Sequence, residues 1–192
     1  IAGDSDAVAG PFPDTLAVLE SGLLAQFRFH GIGVAAHPDG HPMADRATLA
    51  QALSVKREYA RTTATRLWVV TQFTFDAEVV IDWLQGLGNI LEEVPVYIGM
   101  AGPTRVKTLI AYAAMCGVGA SARMLLRRPG SARMLGAWKP DDMVRALVQY
   151  CLENPETLLR GIHLFPFGGL RQSAQWIREH SGSFENNREA VP

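Results

Sequence analysis

Leu67-Trp68-Val69-Val70-Thr71-Gln72-Phe73-Thr74-Phe75 is a nearly continuous apolar run, the pattern of a parallel strand covered on both faces. Helical periodicity flanks it. Over 47–62, Leu49, Leu53 and Ala60 fall on one face with Lys56, Arg57 and Arg61 largely outward; over 77–87, Val80, Trp83, Leu84 and Leu87 share a face. A buried strand between two amphipathic helices is the core of a βαβ arrangement, and the rest of the chain continues it. Upstream, Asp14 caps a helix over 15–26 that carries Leu16, Leu19, Leu23 and Phe27 on one side, and 31–38 is a strand ending at Pro38. Downstream come a strand over 94–100, a helix over 105–115, a shorter helix near 120–126 and an exposed loop at 127–130. A helix over 140–153 opens with Pro140, whose fixed φ suits a first turn, and points Met143, Val144, Leu147 and Cys151 inward. The last strand spans 161–167 and the last helix 170–180.

Ile1-Ala2-Gly3-Asp4 reads as the last turn of one further strand. The end of one strand plus four full strands, joined by right-handed crossovers, makes either an open doubly wound sheet or part of a barrel. The G-x-G-x-x-G fingerprint of the doubly wound class is absent. The expected fold is therefore α/β, the second half of a (β/α)8 TIM barrel from the end of strand 4 to helix 8. On this reading residues 1–180 are the half-domain and 181–192 a polar tail that frays. So few strands cannot close an eight-stranded barrel, so apolar sheet edges and no catalysis by this part alone are expected.

Composition narrows the class. The chain has 192 residues, 48% of them hydrophobic and 19% charged, with a net charge of −1. Its longest apolar runs fall short of the ~18 residues a membrane helix needs, and no signal-peptide pattern opens it. Interspersed acids and bases lack the basic footprint of a nucleic-acid binder. A cytoplasmic protein is expected, with no membrane and no nucleic-acid partner. Cys116 and Cys151 lie in amphipathic segments and read as small buried residues rather than a disulfide.

In parallel α/β folds, functional groups collect beyond the carboxyl ends of the strands. Those ends carry Asp4, then His37, Asp39 and His41, then Gln72 and Asp76, then 99–104, then 163–169. His37-Pro-Asp-Gly-His-Pro42 offers imidazole and carboxylate, which suit a metal, but its prolines and Gly40 also suit a tight turn. Gln72 has a carbonyl and an amino group to satisfy; it either reads a heterocycle with one donor and one acceptor or is satisfied by backbone. Gly99-Met-Ala-Gly-Pro-Thr104 and Phe167-Gly-Gly169 each lead into a helix. Gly99, Gly102 and their neighbours could turn backbone N–H groups to an anion, or serve close packing. Gly117-Val-Gly-Ala-Ser121 lacks the order of a nucleophile elbow.

Taken in order, Gly3-Asp4, Val34-Ala-Ala-His-Pro-Asp-Gly-His-Pro42, Thr71-Gln-Phe-Thr-Phe-Asp76 and Pro95-Val-Tyr-Ile-Gly-Met100 resemble the second half of the methylenetetrahydrofolate reductase family. His163-Leu-Phe-Pro-Phe-Gly-Gly169 resembles its shorter bacterial branch, some members of which work without a flavin. The resemblance spans about residues 1–180 and implies an enzyme of one-carbon metabolism. Such an enzyme reduces 5,10-methylenetetrahydrofolate to 5-methyltetrahydrofolate with NAD(P)H, usually through bound FAD. It implies Asp4 as the catalytic aspartate beside flavin and pterin, and Gln72 as the pterin-binding residue. His41 matches the histidine of the flavin-lining loop, and His37 stands in place of its tyrosine; Gly99 and Gly102 belong with the cofactor turn. The proton donor is expected on the first strand, outside this chain, and a homo-oligomer is compatible with the family. The sequence departs from the pattern where the family places a flavin-phosphate acid and lysine, for it has Gln51 and Glu58 there. The family's aromatic folate-stacking residue has no match near Arg123 to Arg127. Two other readings stand beside this one: a folate-binding or methyl-transfer partner that keeps the pterin pocket without hydride chemistry, and a metal-dependent barrel hydrolase or lyase using His37, Asp39 and His41.

Overall fold

The structure, a computed structural model, describes residues 10–27, 29–116 and 137–185. Asp4 and the strand end at 1–4 lie outside them, as do Ser121, the helix near 120–126, the loop at 127–130 and the tail beyond 185. The chain is α/β. Helix α1 (Thr15–Glu20) and a 3-10 turn (Leu23–Gln26) precede β1 (Ile32–Ala36), α2 (Arg46–Thr62), β2 (Leu67–Thr71), α3 (Ala77–Gly86) and β3 (Val96–Ala101). Then follow β4 (Thr104–Arg105), α4 (Val106–Met115), β5 (Ala137–Trp138), α5 (Asp141–Glu153), β6 (Leu159–Phe165) and α6 (Leu170–Glu185). No helix among the described residues is long and apolar enough to cross a membrane.

Side-chain caps set three of the helix starts. Asp14, Asp45 and Asp76 accept from the backbone N–H groups of Ala17, Thr48 and Glu78 at 2.8, 2.8 and 3.0 Å, each satisfying a donor that the first turn leaves unpaired. The helix expected over 15–26 breaks at Ser21 and Gly22, where Gly22 takes a φ of +70°. Of its expected apolar face Leu19 alone is buried, while Leu23 and Phe27 stay exposed. Burying such a side chain contributes about 1.5–3 kcal/mol, so this segment gains too little to hold a continuous helix.

Strands β1, β2, β3 and β6 form one parallel sheet in that order. The order follows the sequence without reversal, unlike the doubly wound plan, in which the strand order reverses at a switch point. Alternation along each strand separates two faces. Val34, Ala36, Leu67, Val69, Val96, Ile98 and Met100 pack in one cluster with Leu53 of α2, Val80 and Leu84 of α3, Met143 and Leu147 of α5 and Trp176 of α6. All four helices therefore cover the same face.

The opposite face carries Trp68, Val70, Tyr97 and His163, half-buried or exposed. β2 is thus covered fully on one side only, not on both as the apolar run implied. Trp68 lies across β1: a Cβ at Gly33 would come within 2.6 Å of its Nε1. Lys56, expected outward, is buried, and its ammonium donates to the Ala35 carbonyl at 3.3 Å.

Two more expectations change. The final helix runs past His180 to Glu185, so residues 181–185 are helical rather than part of a frayed tail. The helix that covers the sheet between β3 and β6 is α5, whereas α4 sits elsewhere. Val106, Leu109 and Ala113 of α4 pack with Phe73, Phe75, Ala101 and Trp138 in a second apolar cluster beyond the strand ends. The short antiparallel pair β4–β5 pins this excursion to the rim.

Candidate functional site

The carboxyl ends of the strands converge through hydrogen bonds between their loops. After β1 the chain turns at His37–Gly40, closed by the Gly40 N–H on the His37 carbonyl at 3.0 Å. His37 and His41 then meet edge to face with ring centroids 5.0 Å apart, and His41 Nδ1 accepts from the Met43 N–H at 3.1 Å. The buried Thr74 hydroxyl donates to Asp39 at 3.2 Å and accepts from the Asp76 N–H at 3.3 Å. One hydroxyl thereby fastens the loop after β1 to the segment after β2.

Gln72 stands at the end of β2, its backbone N–H donating to the Ala36 carbonyl at 2.7 Å. Its side-chain Oε1 accepts from the Phe73 N–H at 3.1 Å. The amino group makes no hydrogen bond among the described residues, so two donors remain for a ligand. Both alternatives read from the sequence are therefore present in part: the carbonyl is satisfied by backbone, and the NH2 is free.

Beside Gln72 the chain builds an aromatic cluster. Phe73 meets Phe167 at 4.6 Å and Phe75 at 5.6 Å; Tyr112 meets Phe167 at 4.6 Å; Phe75 meets Trp138 at 5.2 Å. Trp138 is held by its indole N–H on the Ala101 carbonyl at 3.1 Å. Phe73, Phe75 and Trp138 are buried and pack the cluster together, whereas half-buried Tyr112, Phe165 and Phe167 keep surface for a flat ligand. Sequence reasoning missed them as a group. The alternate phenylalanines of Gln72-Phe-Thr-Phe75 and Phe165-Pro-Phe167 were the signal, since period two puts them on one side.

The glycine-rich turns have a different role from the one expected. The Gly99 N–H donates to Thr71 Oγ1 at 2.8 Å and the Gly102 N–H to the Phe165 carbonyl at 2.8 Å. Both are spent within the fold, and α4 begins only at Val106, after β4. Close approach explains these glycines: a Cβ at Gly99 would lie 2.2 Å from the Thr71 carbonyl oxygen, and one at Gly102 2.3 Å from Ser173 Oγ. The turns nevertheless border one cavity of about 710 Å3, lined by Thr104, Arg105, Lys139, Phe167, Gly168 and Gly169 among others. Arg105 and Lys139 supply the positive charge that the backbone does not.

Two basic residues of α2, Arg57 and Arg61, are held in ion pairs. Glu58 pairs with Arg61 at 2.6 Å, and that guanidinium holds its carboxyl below the usual range. Arg57 pairs with Glu92 at 2.9 Å and donates to the Asn89 carbonyl at 2.7 Å, while Lys56 is turned to Ala35. With Gln51 exposed and uncharged and the buried Lys56 ammonium the one cation of 51–61 outside an ion pair, this stretch does not fit a flavin pyrophosphate, which needs several charge-assisted donors. Nor do His37, Asp39 and His41 assemble a metal site: among the described residues no three His, Cys, Asp or Glu side chains come together to hold an ion. Cys151 is a free thiol. No known protein-family model matches the sequence.

Proposed function

We propose that this chain is the C-terminal half of a (β/α)8 barrel that reduces 5,10-methylenetetrahydrofolate to 5-methyltetrahydrofolate, with NAD(P)H as hydride donor. The observation that carries the reading is the placement of Gln72. It sits at a strand end with its NH2 unspent, its backbone bonded to Ala36 just before the His37–His41 loop, and a pterin edge presents both a donor and an acceptor. The parallel sheet supports it: strand order follows the sequence, β1 and β6 each have one partner among the described residues, and the face carrying Trp68 and Tyr97 is left open by the helices.

In this reading Gln72 orients the pterin, and half-buried Phe167 and Tyr112, which line the neighbouring cavity over the buried Phe73, offer apolar surface to the rest of the ligand. Arg105 and Lys139 take the anionic end of a ligand, the folate glutamate or the coenzyme phosphates. FAD is what the resemblance implies, and the α2 residues argue against it, so no step is assigned to it. Hydride passes to the methylene carbon, its bond to N10 breaks, and N10 takes up a proton, giving the N5-methyl product and NAD(P)+. Asp4 remains the proposed catalytic aspartate.

The test is NAD(P)H oxidation dependent on 5,10-methylenetetrahydrofolate, measured on the full-length protein and checked by the visible spectrum for flavin. Turnover in either direction supports the reading, and its absence in both overturns it. Folate binding without turnover would instead assign the pocket to a folate-binding or methyl-transfer partner.

A further inference from the structure

Beside the end of β1, where Ala36, His37 and Pro38 form part of its lining, α2 and α3 leave between them a cleft of about 450 Å3, within the ~300–1,000 Å3 range of small-molecule sites. Its walls are apolar, with Leu49 and Leu53 on one side and Val79, Trp83 and Ile90 on the other. Into this space the sequence places one buried cation. Lys56 lines the cleft, is 8% exposed, and makes a single hydrogen bond, to the Ala35 carbonyl at 3.3 Å. An ammonium has three donors, and no carboxylate pairs with this one among the described residues. Asp14 acts on it only through space, and burial pushes the amine below its ordinary lysine range.

A buried charge without an ion-pair partner is costly, and an apolar side chain of similar volume would fill the same place at less cost. The cation makes sense if something negative comes to it. One ammonium in an apolar cleft suits a carboxylate on an apolar body; a phosphate would demand several more donors, and a neutral ligand would leave the charge unpaired. At the rim, exposed Arg46 favours an anion and exposed Asp82 opposes one, which leaves Lys56 to decide.

We propose that the α2–α3 cleft is a binding site for an amphipathic monocarboxylate, its carboxylate on the Lys56 ammonium and its apolar body against Trp83, Leu53 and Ile90. The site is independent of the folate reading, since none of its binding energy comes from Gln72 or the aromatic cluster.

Calorimetric titration of the full-length protein with decanoate, decanol and decyltrimethylammonium tests it, because the three share a chain and differ in head-group charge. Decanoate binds saturably with unit stoichiometry, decanol binds about tenfold or more weakly, and the cation weaker still. Lys56→Met brings decanoate down to the level of decanol. Ala50→Phe, which fills the cleft and leaves Lys56 in place, weakens both. Equal affinity for decanoate and decanol overturns the proposal, as does decanoate affinity unchanged in Lys56→Met or the lack of saturable binding. Should Lys56→Met fail to fold, the head-group comparison on the unaltered chain decides by itself.

Discussion

The Thr74 hydroxyl donates to the Asp39 carboxylate at 3.2 Å across thirty-five positions of sequence, and the same oxygen receives the Asp76 N–H. Asp76 in turn caps α3. The loop bearing both histidines, the segment bearing Gln72 and the start of α3 are thus tied through one buried side chain.

Thr74→Val keeps the shape and removes these two hydrogen bonds. Losing the buried acceptor of the Asp76 N–H and the tie to Asp39 costs about 1–3 kcal/mol. A urea melt reads this as a lower midpoint at constant slope; an unchanged midpoint would show that Thr74 fastens nothing.

Gly99 and Gly86 predict opposite responses to the same substitution. At Gly99 the added Cβ meets the Thr71 carbonyl, a backbone atom of the paired strand that cannot step aside. Gly99→Ala therefore destabilises by about 3 kcal/mol or more, the upper end for overpacking. At Gly86 a Cβ meets nothing within 4 Å and the residue ends α3, so Gly86→Ala is neutral or stabilising by up to about 1 kcal/mol. Thermal melts of the two variants against the parent separate the outcomes.

These contrasts show what the sequence could and could not disclose. Periodicity located all four strands of the sheet and the helices that cover it, because burial of one face repeats every two or 3.6 residues. It could not tell that the apolar run 67–75 changes role after Thr71, since Phe73 and Phe75 are as apolar as Val69 yet join a different cluster. The two-residue strands β4 and β5 are too short to carry any period. The apolar face of α4 is real, but only the tertiary fold shows that it packs with Phe73, Phe75 and Trp138 beyond the strand ends. Lys56 was read outward from its charge, and burial against Ala35 overrode that. At the site, Gln72 stood out as a polar residue in an apolar run, whereas Arg105 and Lys139 became neighbours of Phe167 only through folding.

Lys56 also makes stability depend on pH. Its amine titrates lower in the folded chain than in the unfolded one, where it has the ordinary value near about 10.4. Between those two values the unfolded chain holds more protons, so stability rises with pH across that window and the penalty of the buried charge is fully present below it. Lys56→Met removes this dependence and raises stability at neutral pH by about 1 kcal/mol or more. Denaturation of both proteins at several alkaline pH values isolates the difference; parallel curves would contradict it.

Cys151 is half-buried on α5, and burial pushes its thiol up, with Arg160 partly opposing. Less thiolate at a given pH means slower alkylation. Iodoacetamide labelling followed by mass spectrometry is expected to show Cys151 reacting more slowly than free cysteine. Its rate profile moves to higher pH and collapses onto the free-thiol profile in denaturant. A rate equal to that of free cysteine in the folded protein contradicts the shift.

Gln72 separates binding from folding more cleanly than any other residue of the site. Its side chain makes one hydrogen bond, from the N–H of the next residue, so Gln72→Leu leaves the unfolding free energy from a urea melt within about 0.5–1 kcal/mol of the parent. A ligand that uses the amide at both its carbonyl and its amino group loses two partners at once, and a buried ligand donor and acceptor stay unsatisfied. On the folate reading, Gln72→Leu in the full-length protein lowers kcat/KM for methylenetetrahydrofolate about ten- to a hundredfold, with the KM for NAD(P)H little changed. Gln72→Glu keeps the size and an acceptor but loses the donors, so it falls between the two. If both variants keep full activity while the protein turns over folate, the pterin is held elsewhere on the rim, and the free NH2 of Gln72 serves something other than the substrate.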